Sequence, residues 1–275
     1  GGVFGAGILS LDDCVIEGNS APGGNGNQYT ASVPGFGGGA MLQSGGVWRQ
    51  CTFTNNSAIY GGGICGGIAS NCAMNCNSSQ NGGGACSSLL YNCVFIDNSA
   101  DGEGKRGGGA YQSTLYNCTV TRNTADWATG GGVYGCTLWN CIVVANTCFS
   151  PQDGNYYNST LNYSCSSPLP AGDGNMDADP QFVDAVAGDF HLLGGSPCIN
   201  TGTNQDWMVG AADLDGNPRL FVTRVDMGAY EFFVPAGIPA DWQGRFGLPT
   251  NGSMDYWDSD LDGWLNWEEY QADTN

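Results

Sequence analysis

The fold is decided by a segment that occurs three times in succession. Residues 82–99 read GGGACSSLLYNCVFIDNS, residues 107–124 read GGGAYQSTLYNCTVTRNT, and residues 130–147 read GGGVYGCTLWNCIVVANT. Each copy begins with three glycines, has a cysteine eleven residues later, and has an asparagine five residues after that cysteine. Self-similarity at a short period indicates a repeat architecture, in which each unit stacks on its neighbours.

The same three series extend toward the N-terminus at a period of 21 to 25 residues, except that the step from Cys14 to Cys51 is 37 residues because of an insertion between Asn19 and Phe36. Glycine triplets also begin at Gly37 and Gly61. The ladder positions are Cys14, Cys51, Cys72, Cys93, Cys118 and Cys141, with Asn19, Asn56, Asn77, Asn98, Asn123 and Asn146. Apolar residues stand two positions after and three positions before each cysteine, which is typical of short strands separated by turns.

We therefore predict an all-β solenoid of parallel coils, with three short strands and three turns in each coil. The cysteines would stack inside the coils, the asparagines would form a buried amide ladder in one turn, and the glycines would allow positive φ in another. Residues 1–150 are predicted to form the coils and residues 151–232 the last coils and a cap. Residues 233–275 are predicted to form a linker, a short helix over 240–246 and a calcium loop.

Composition excludes several classes of function. The chain has 275 residues, 26 acidic and 7 basic side chains, and a net charge of −19, so nucleic acid and anionic membranes would repel it. It has no run of about 18 apolar residues, so we expect no membrane insertion. No signal peptide is visible before Gly1, and we expect the chain to be a processed or excised product.

Later motifs add a family resemblance. They are DPQFVD at 179–184, GDFHL at 188–192, SPCINTG at 196–202, DGNPR at 215–219 and DMGAYE at 226–231. The coils resemble the parallel β-helix repeats of secreted bacterial proteins, including those similar to polymorphic outer-membrane proteins. The later motifs resemble the C-terminal end of a choice-of-anchor Q domain. The resemblance implies a right-handed, single-stranded parallel β-helix that is extracellular or exposed on a bacterial cell surface, and it implies no single activity.

The thirteen cysteines have two interpretations. The six ladder cysteines are small enough to fill a narrow core as buried apolar side chains. Cys65 and Cys86 occupy equivalent positions on successive coils and are candidates for a disulfide between coils. For Cys165 and Cys198, near the cap, the resemblance favours a disulfide. Because disulfides persist outside the cytosol, the number of cysteines favours an oxidising, extracellular environment for the protein.

The C-terminal segment contains a calcium-binding pattern. Residues 258–269 read DSDLDGWLNWEE and match the twelve-residue EF-hand loop. The predicted ligands are Asp258, Asp260, Asp262, the Trp264 carbonyl, Asn266 and Glu269. A single loop of this kind resembles the repeats of dockerin-like or thrombospondin-type-3-like modules, and we expect Ca²⁺ to play a structural role in it. A shorter run at Asp213, Asp215 and Asn217 lacks a closing acid and is a weaker candidate for a second calcium.

No constellation of residues in the sequence predicts catalysis. The seven basic residues do not cluster as a polyuronate lyase would require, and His191 falls within a strand of the cap motif. No pair of carboxylates has the arrangement of a polysaccharide hydrolase. We predict no catalytic residues, while a polysaccharide-active enzyme remains the third alternative.

Aromatic residues recur at two outward positions of successive coils. The first position holds Tyr91, Tyr116 and Trp139, and the second holds Tyr111 and Tyr134. Such a stripe would bind a glycan through ring faces, form a protein contact, or be covered by other parts of the chain. The sequence begins partway through a repeat without a capping segment, so we expect either that an upstream segment is missing or that another subunit covers the first coil. In the second case, a head-to-tail contact that does not close would make a filament. We predict a secreted, non-enzymatic structural protein that assembles with its own copies into a fibre or matrix. The alternative is an adhesive module that binds a cell-surface glycan.

Overall fold

The computed structural model describes residues 2–5, 9–23, 35–42, 46–102, 104–126, 129–220, 224–232 and 245–247. The chain divides into two compact units, Gly1–Glu231 and Phe232–Asn275. The first unit is an all-β parallel solenoid, which confirms that part of the predicted fold. The predicted calcium loop and most of the predicted short helix lie outside the described residues. No helix in the described ranges is long and apolar enough to cross a membrane.

Four parallel sheets run along the solenoid, and we name them A to D in the order in which a coil visits them. Sheet A contains Val3–Gly5, Ala40–Leu42, Ile64–Cys65, Ala85–Cys86, Ala110–Tyr111, Val133–Tyr134 and Tyr156–Tyr157. Sheet B contains Ser10–Asp12, Val47–Arg49, Ile68–Ser70, Leu89–Tyr91, Thr114–Tyr116, Thr137–Trp139 and Thr160–Asn162. Sheet C contains Val15–Glu17, Thr52–Thr54, Ala73–Asn75, Val94–Ile96, Thr119–Thr121, Ile142–Val144 and Cys165–Ser166. Sheet D contains Ser20–Ala21, Ser57–Ala58, Ser78–Ser79, Ser99–Ala100, Thr124–Ala125 and Thr147–Cys148.

The expectation of three strands in each coil was wrong, because most coils supply four. The asparagine turn is followed by an additional two-residue strand of sheet D before the chain reaches the glycine triplet. A short 3₁₀ helix, Pro151–Asp153, lies between the last strand of sheet D and the last strand of sheet A. Beyond the coils, an antiparallel hairpin joins Phe182–Asp184 to Asp189–Leu192, and a second 3₁₀ helix covers Asp206–Met208.

The core is a continuous stack of inward side chains from sheets A, B and C. Trp48, Phe53, Leu90 and Phe95 are completely buried in it. The rings of Trp48 and Phe53 meet edge to face with their centroids 5.6 Å apart, an arrangement that aromatic quadrupoles favour. Because side chains alternate across each strand, the neighbouring positions point outward and form columns on the surface.

The glycine triplet allows coils to approach one another closely. Gly82 has a φ of 70°, which residues with a side chain rarely adopt. A Cβ atom on Gly83 would lie 2.3 Å from the carbonyl oxygen of Gly108 on the next coil and 2.4 Å from that of Ser99. Both distances are far below van der Waals contact, so sterics exclude a side chain from this turn.

The predicted asparagine positions stack into a hydrogen-bonded ladder. Asn98 Oδ1 accepts hydrogen bonds from the backbone N–H and the side-chain amide of Asn77, both at 3.0 Å. The amide of Asn98 donates to the Met74 carbonyl and to Asn123 Oδ1, both at 2.8 Å. The same pattern continues from Asn56 to Asn146. Asparagine suits this role because its side chain both donates and accepts.

The predicted cysteine positions also stack in register along the core. Cys51, Cys72, Cys93, Cys118 and Cys141 are each 0–1% exposed. Each of these thiols donates to the carbonyl oxygen two residues before it, for example Cys93 to Tyr91 at 3.1 Å. The thiols therefore fill the core as small side chains, and each provides a hydrogen-bond donor to a carbonyl oxygen of the adjacent turn.

A segment after the coils folds back along the side of the solenoid, and we call residues 199–220 and 224–231 the cover segment. Four asparagines that immediately precede ladder cysteines hold it, each at a φ of 48–54°: Asn71, Asn92, Asn117 and Asn140. Their side-chain amides donate to carbonyl oxygens of the cover segment, such as Asn92 to Ala212 at 2.8 Å and Asn117 to Asp226 at 3.0 Å. The cover segment therefore lies against the corner between sheets B and C.

Candidate ligand groove

The predicted aromatic stripe lies on the outer face of sheet B. From one coil to the next, register places Arg49, Ser70, Tyr91, Tyr116 and Trp139 in one column. The rings of Tyr91 and Tyr116 are stacked with centroids 5.1 Å apart and planes within 10° of each other. Stacked rings cover each other's faces, so the facing sides of Tyr91 and Tyr116 are not available to a ligand.

The Tyr91 ring has one face that lacks a stacked neighbour within the column. The register partner of Tyr91 on the preceding coil is Ser70, whose side chain is too small to cover a phenol ring. The next large side chain in that direction is Arg49. The column therefore contains a gap one coil wide, with an aromatic wall at one end and a guanidinium at the other.

The cover segment closes one side of this gap. The ring of Trp207 packs against Tyr91 with centroids 4.7 Å apart and an interplanar angle of 60°. Its indole N–H donates to Gln205 Oε1 at 2.7 Å, and its neighbour Met208 is completely buried, so the ring is fixed in place. The predicted stripe is therefore partly covered by the cover segment.

The result is a side groove of about 540 Å³. Its lining includes Arg49, Gln50, Asn71, Tyr91 and Trp207, together with backbone from 210–212. This volume falls within the range of small-molecule sites, and the lining combines aromatic rings with a few polar groups, as such sites do.

The polar groups around the groove are held by defined contacts. Arg49 donates to Ser10 Oγ at 3.0 Å and lies 3.6 Å from the Asp12 carboxylate, with half of its side chain exposed. Asn71 is held by donation to the carbonyl oxygens of Ala212 and Asp213. Partial burial raises the pKa of Tyr91, with the neighbouring Tyr116 adding to the shift, so the phenol stays protonated and able to donate a hydrogen bond.

A second aromatic column lies on sheet A and continues beyond the predicted pair. Tyr111, Tyr134 and Tyr157 stack with successive centroids 5.7 Å apart. The Arg106 guanidinium lies 4.7 Å from the centre of the Tyr134 ring. These rings cover one another's faces within the column, apart from the outer faces of Tyr111 and Tyr157 at its two ends.

The sole histidine belongs to a clamp within the capping region. His191 Nδ1 lies 2.5 Å from Asp189 Oδ1, and Nε2 lies 2.5 Å from Asp215 Oδ2. Burial lowers the pKa of His191, but its hydrogen bonds to the two carboxylates outweigh that effect and raise it overall. The clamp ties the hairpin strand Asp189–Leu192 to the turn that contains Asp215, which is a structural arrangement.

The short acidic run at 213–217 forms a turn. Asp213 is completely buried and accepts backbone N–H groups of Asp215, Asn217 and Glu231 at 2.8–3.0 Å. The buried guanidinium of Arg219 lies 3.2 Å from Glu231. Burial raises the pKa of the Asp213 and Glu231 carboxyls. Within the described ranges, no three histidine, cysteine or acidic side chains converge as a metal site.

The structure does not support the two predicted disulfides, because all thirteen cysteines are described and each is a free thiol. Cys65 and Cys86 are register partners on adjacent parallel strands. That spacing is about 4.8 Å, wider than the roughly 3.8 Å between Cβ atoms in a disulfide. The Cys165 thiol instead donates to the Ala178 carbonyl at 3.1 Å, and Cys198 lies buried beside it.

Two contributors to the groove were absent from the sequence predictions. Trp207 lies outside the coil repeats, and nothing in its local sequence indicates that it returns to Tyr91. The asparagines that hold the cover segment can be recognised from a pattern in the sequence. Asparagine precedes the ladder cysteine in four consecutive coils. The left-handed turn alone does not require asparagine, because Gln50 adopts it on an earlier coil.

No protein-family model matches the sequence, and a search of curated proteins returned no significant match.

Proposed function

We propose that the side groove binds a glycan and that the chain is a secreted, non-enzymatic adhesive module built on a β-solenoid. The observation that carries this proposal is the face of the Tyr91 ring that lacks a stacked neighbour because Ser70 occupies the next position in the column. A pyranose has an apolar face of C–H groups that matches an aromatic ring and a rim of hydroxyls that needs hydrogen-bond partners.

The surrounding side chains support recognition of those hydroxyls. Arg49 supplies donors at one end of the gap, and Gln50 and Asn71 supply amides along its wall. Trp207, which packs against Tyr91, closes the side of the groove formed by the cover segment, so that a sugar would approach with one face. A neutral glycan suits the chain better than a polyuronate because the net charge of −19 would repel a polyanion.

Binding of neutral oligosaccharides, screened on a glycan array and quantified by calorimetry, tests the proposal. We expect Tyr91→Ala and Trp207→Ala to weaken binding about tenfold or more, since loss of roughly 1.4 kcal/mol corresponds to tenfold. Tyr134→Ala is the matched control, because it removes a stacked tyrosine from sheet A and leaves the groove intact. Equal loss in all three variants, or no binding by the parent chain, would refute the groove as a glycan site. Release of reducing ends during incubation would refute the non-enzymatic assignment.

Two further properties stay predictions from the sequence. We propose that Ca²⁺ bound by Asp258, Asp260, Asp262, Trp264, Asn266 and Glu269 braces the C-terminal unit. Head-to-tail assembly into a fibre remains the second candidate function, and electron microscopy of the non-reduced chain with calcium and with chelator tests it. Regular fibres in calcium would support assembly, and monomers in both conditions would refute it.

A further inference from the structure

A second outward column brings three sulfur atoms together on sheet A. Register pairs Met41 with Cys65 and Cys65 with Cys86, so a thioether and two thiols occupy successive coils on one face. Cys65 is 7% exposed and Cys86 is 3% exposed, which places both just beneath the surface, and Met41 is half-buried beside them. The next residue in the column is Tyr111, where the tyrosine stack begins.

These two thiols differ from the ladder cysteines in how they are bonded. Each of the five fully buried ladder thiols donates to a backbone carbonyl, as Cys72 does to Ser70 at 3.3 Å. Within the described residues, Cys65 has no hydrogen bond to a backbone group, and Cys86 contacts only the Ser87 hydroxyl at 3.5 Å besides Cys65. Cys65 and Cys86 are register partners on adjacent coils, so their thiols lie next to each other. A thiolate is the form of cysteine that binds metals.

The spacing suits a metal ion better than a covalent bridge. Residues in register on adjacent parallel strands are about 4.8 Å apart. A disulfide needs Cβ atoms about 3.8 Å apart, so the two coils would have to move closer together. Two sulfur atoms bound to one ion at about 2.3 Å each, the metal–thiolate distance known for zinc, can be up to about 4.6 Å apart, which is close to the spacing between the coils.

The ligand set selects the kind of ion. Thiolate and thioether ligands favour soft ions such as Cu(I), whereas a structural zinc site needs four ligands in a tetrahedron. The column offers two thiols and one thioether on three successive coils. We propose that Met41, Cys65 and Cys86 form a binding site for a soft monovalent metal ion of the Cu(I) class. Binding replaces the thiol protons, which are released to solvent.

Silver(I) is a suitable probe, because it has the same charge and softness and is stable in air. The reduced full-length chain is titrated with Ag(I) in excess glutathione, which removes ions held by single thiols, and bound ions are counted by native mass spectrometry. We expect one retained ion in the parent chain and loss of that ion in Cys65→Ser and Cys86→Ser. Cys76→Ser is the matched control, because it removes an exposed, isolated thiol and should retain the ion.

A second measurement separates loss of the site from loss of the fold. Iodoacetamide labelling mapped by mass spectrometry should show that Ag(I) protects Cys65 and Cys86 but leaves Cys76 reactive. Retention of the ion by both serine variants, or alkylation of Cys65 and Cys86 at the same rate with and without Ag(I), would overturn the site. Met41→Leu should release the ion at a lower glutathione concentration, and an unchanged release point would remove the thioether from the ligand set.

Discussion

Replacing Asn98 with alanine removes one rung of the asparagine ladder from the middle of the solenoid. Asn98 is completely buried and takes part in four side-chain hydrogen bonds of 2.8–3.0 Å. Its loss leaves two donors of Asn77 without an acceptor, the backbone N–H and one amide proton. It also removes the donors to Met74 and Asn123.

The expected cost follows from these orphaned groups. A buried donor that loses its partner costs about 1–3 kcal/mol, so the two donors of Asn77 together cost about 4 kcal/mol. The side-chain oxygen Asn123 Oδ1 keeps its hydrogen bond from the backbone N–H of residue 98, at 3.0 Å, so it adds little to the cost in stability. Because a domain of this kind has about 5–15 kcal/mol of stability, the variant should lose a large fraction of it.

Urea unfolding followed by circular dichroism measures this loss. Asn75→Ala is the matched control, because Asn75 lies in a strand and its buried Oδ1 has no hydrogen-bond partner among the described residues. We expect the control to change stability by less than about 0.5 kcal/mol. A cost below about 1 kcal/mol for Asn98→Ala, or equal costs for both variants, would refute the reasoning that the ladder is a major source of stability.

Three further expectations concern the clamp, the glycine turn and the calcium loop. The pKa of His191 is raised in the folded state. The contribution of His191 to folding stability is therefore complete below the unfolded pKa of about 6.5 and is lost as the pH rises through the folded pKa. His191→Gln should abolish this pH dependence of the melting temperature. Gly83→Ala should lower the melting temperature far more than Gly195→Ala, because a Cβ on Gly83 meets a carbonyl oxygen at 2.3 Å and one on Gly195 meets only the end of the Gln181 side chain, at 3.3 Å; equal shifts would contradict the steric argument. Chelation should lower the protease resistance of the C-terminal unit, and Glu269→Gln should reproduce that effect in the presence of calcium; an identical digestion pattern in all conditions would exclude a structural calcium.

Local offsets in the sequence were sufficient to predict the solenoid. The asparagine five residues after each cysteine and the glycine triplet eleven residues before it recur because each coil repeats the same turns. Only short-range geometry is needed to interpret them. The additional strand of sheet D was missed because two residues, such as Ser99–Ala100, are too few to give a period-two pattern.

The outward columns were only partly predictable. The sequence identified Tyr91 and Tyr116 as outward neighbours, and it could not show that their rings would cover each other. The gap at Ser70 also follows from register, yet it becomes a groove only because a distant segment closes its side.

The sequence by itself determined the repeat, the ladders and the parallel solenoid, because each depends on residues at fixed offsets within one coil or on equivalent positions in the next. Only the tertiary structure decided the groove. Asn71 donates to Ala212, which lies 141 residues later in the chain, and Trp207 returns to Tyr91 from outside the repeat. Contacts over such separations depend on the whole path of the cover segment, and no local pattern encodes that path.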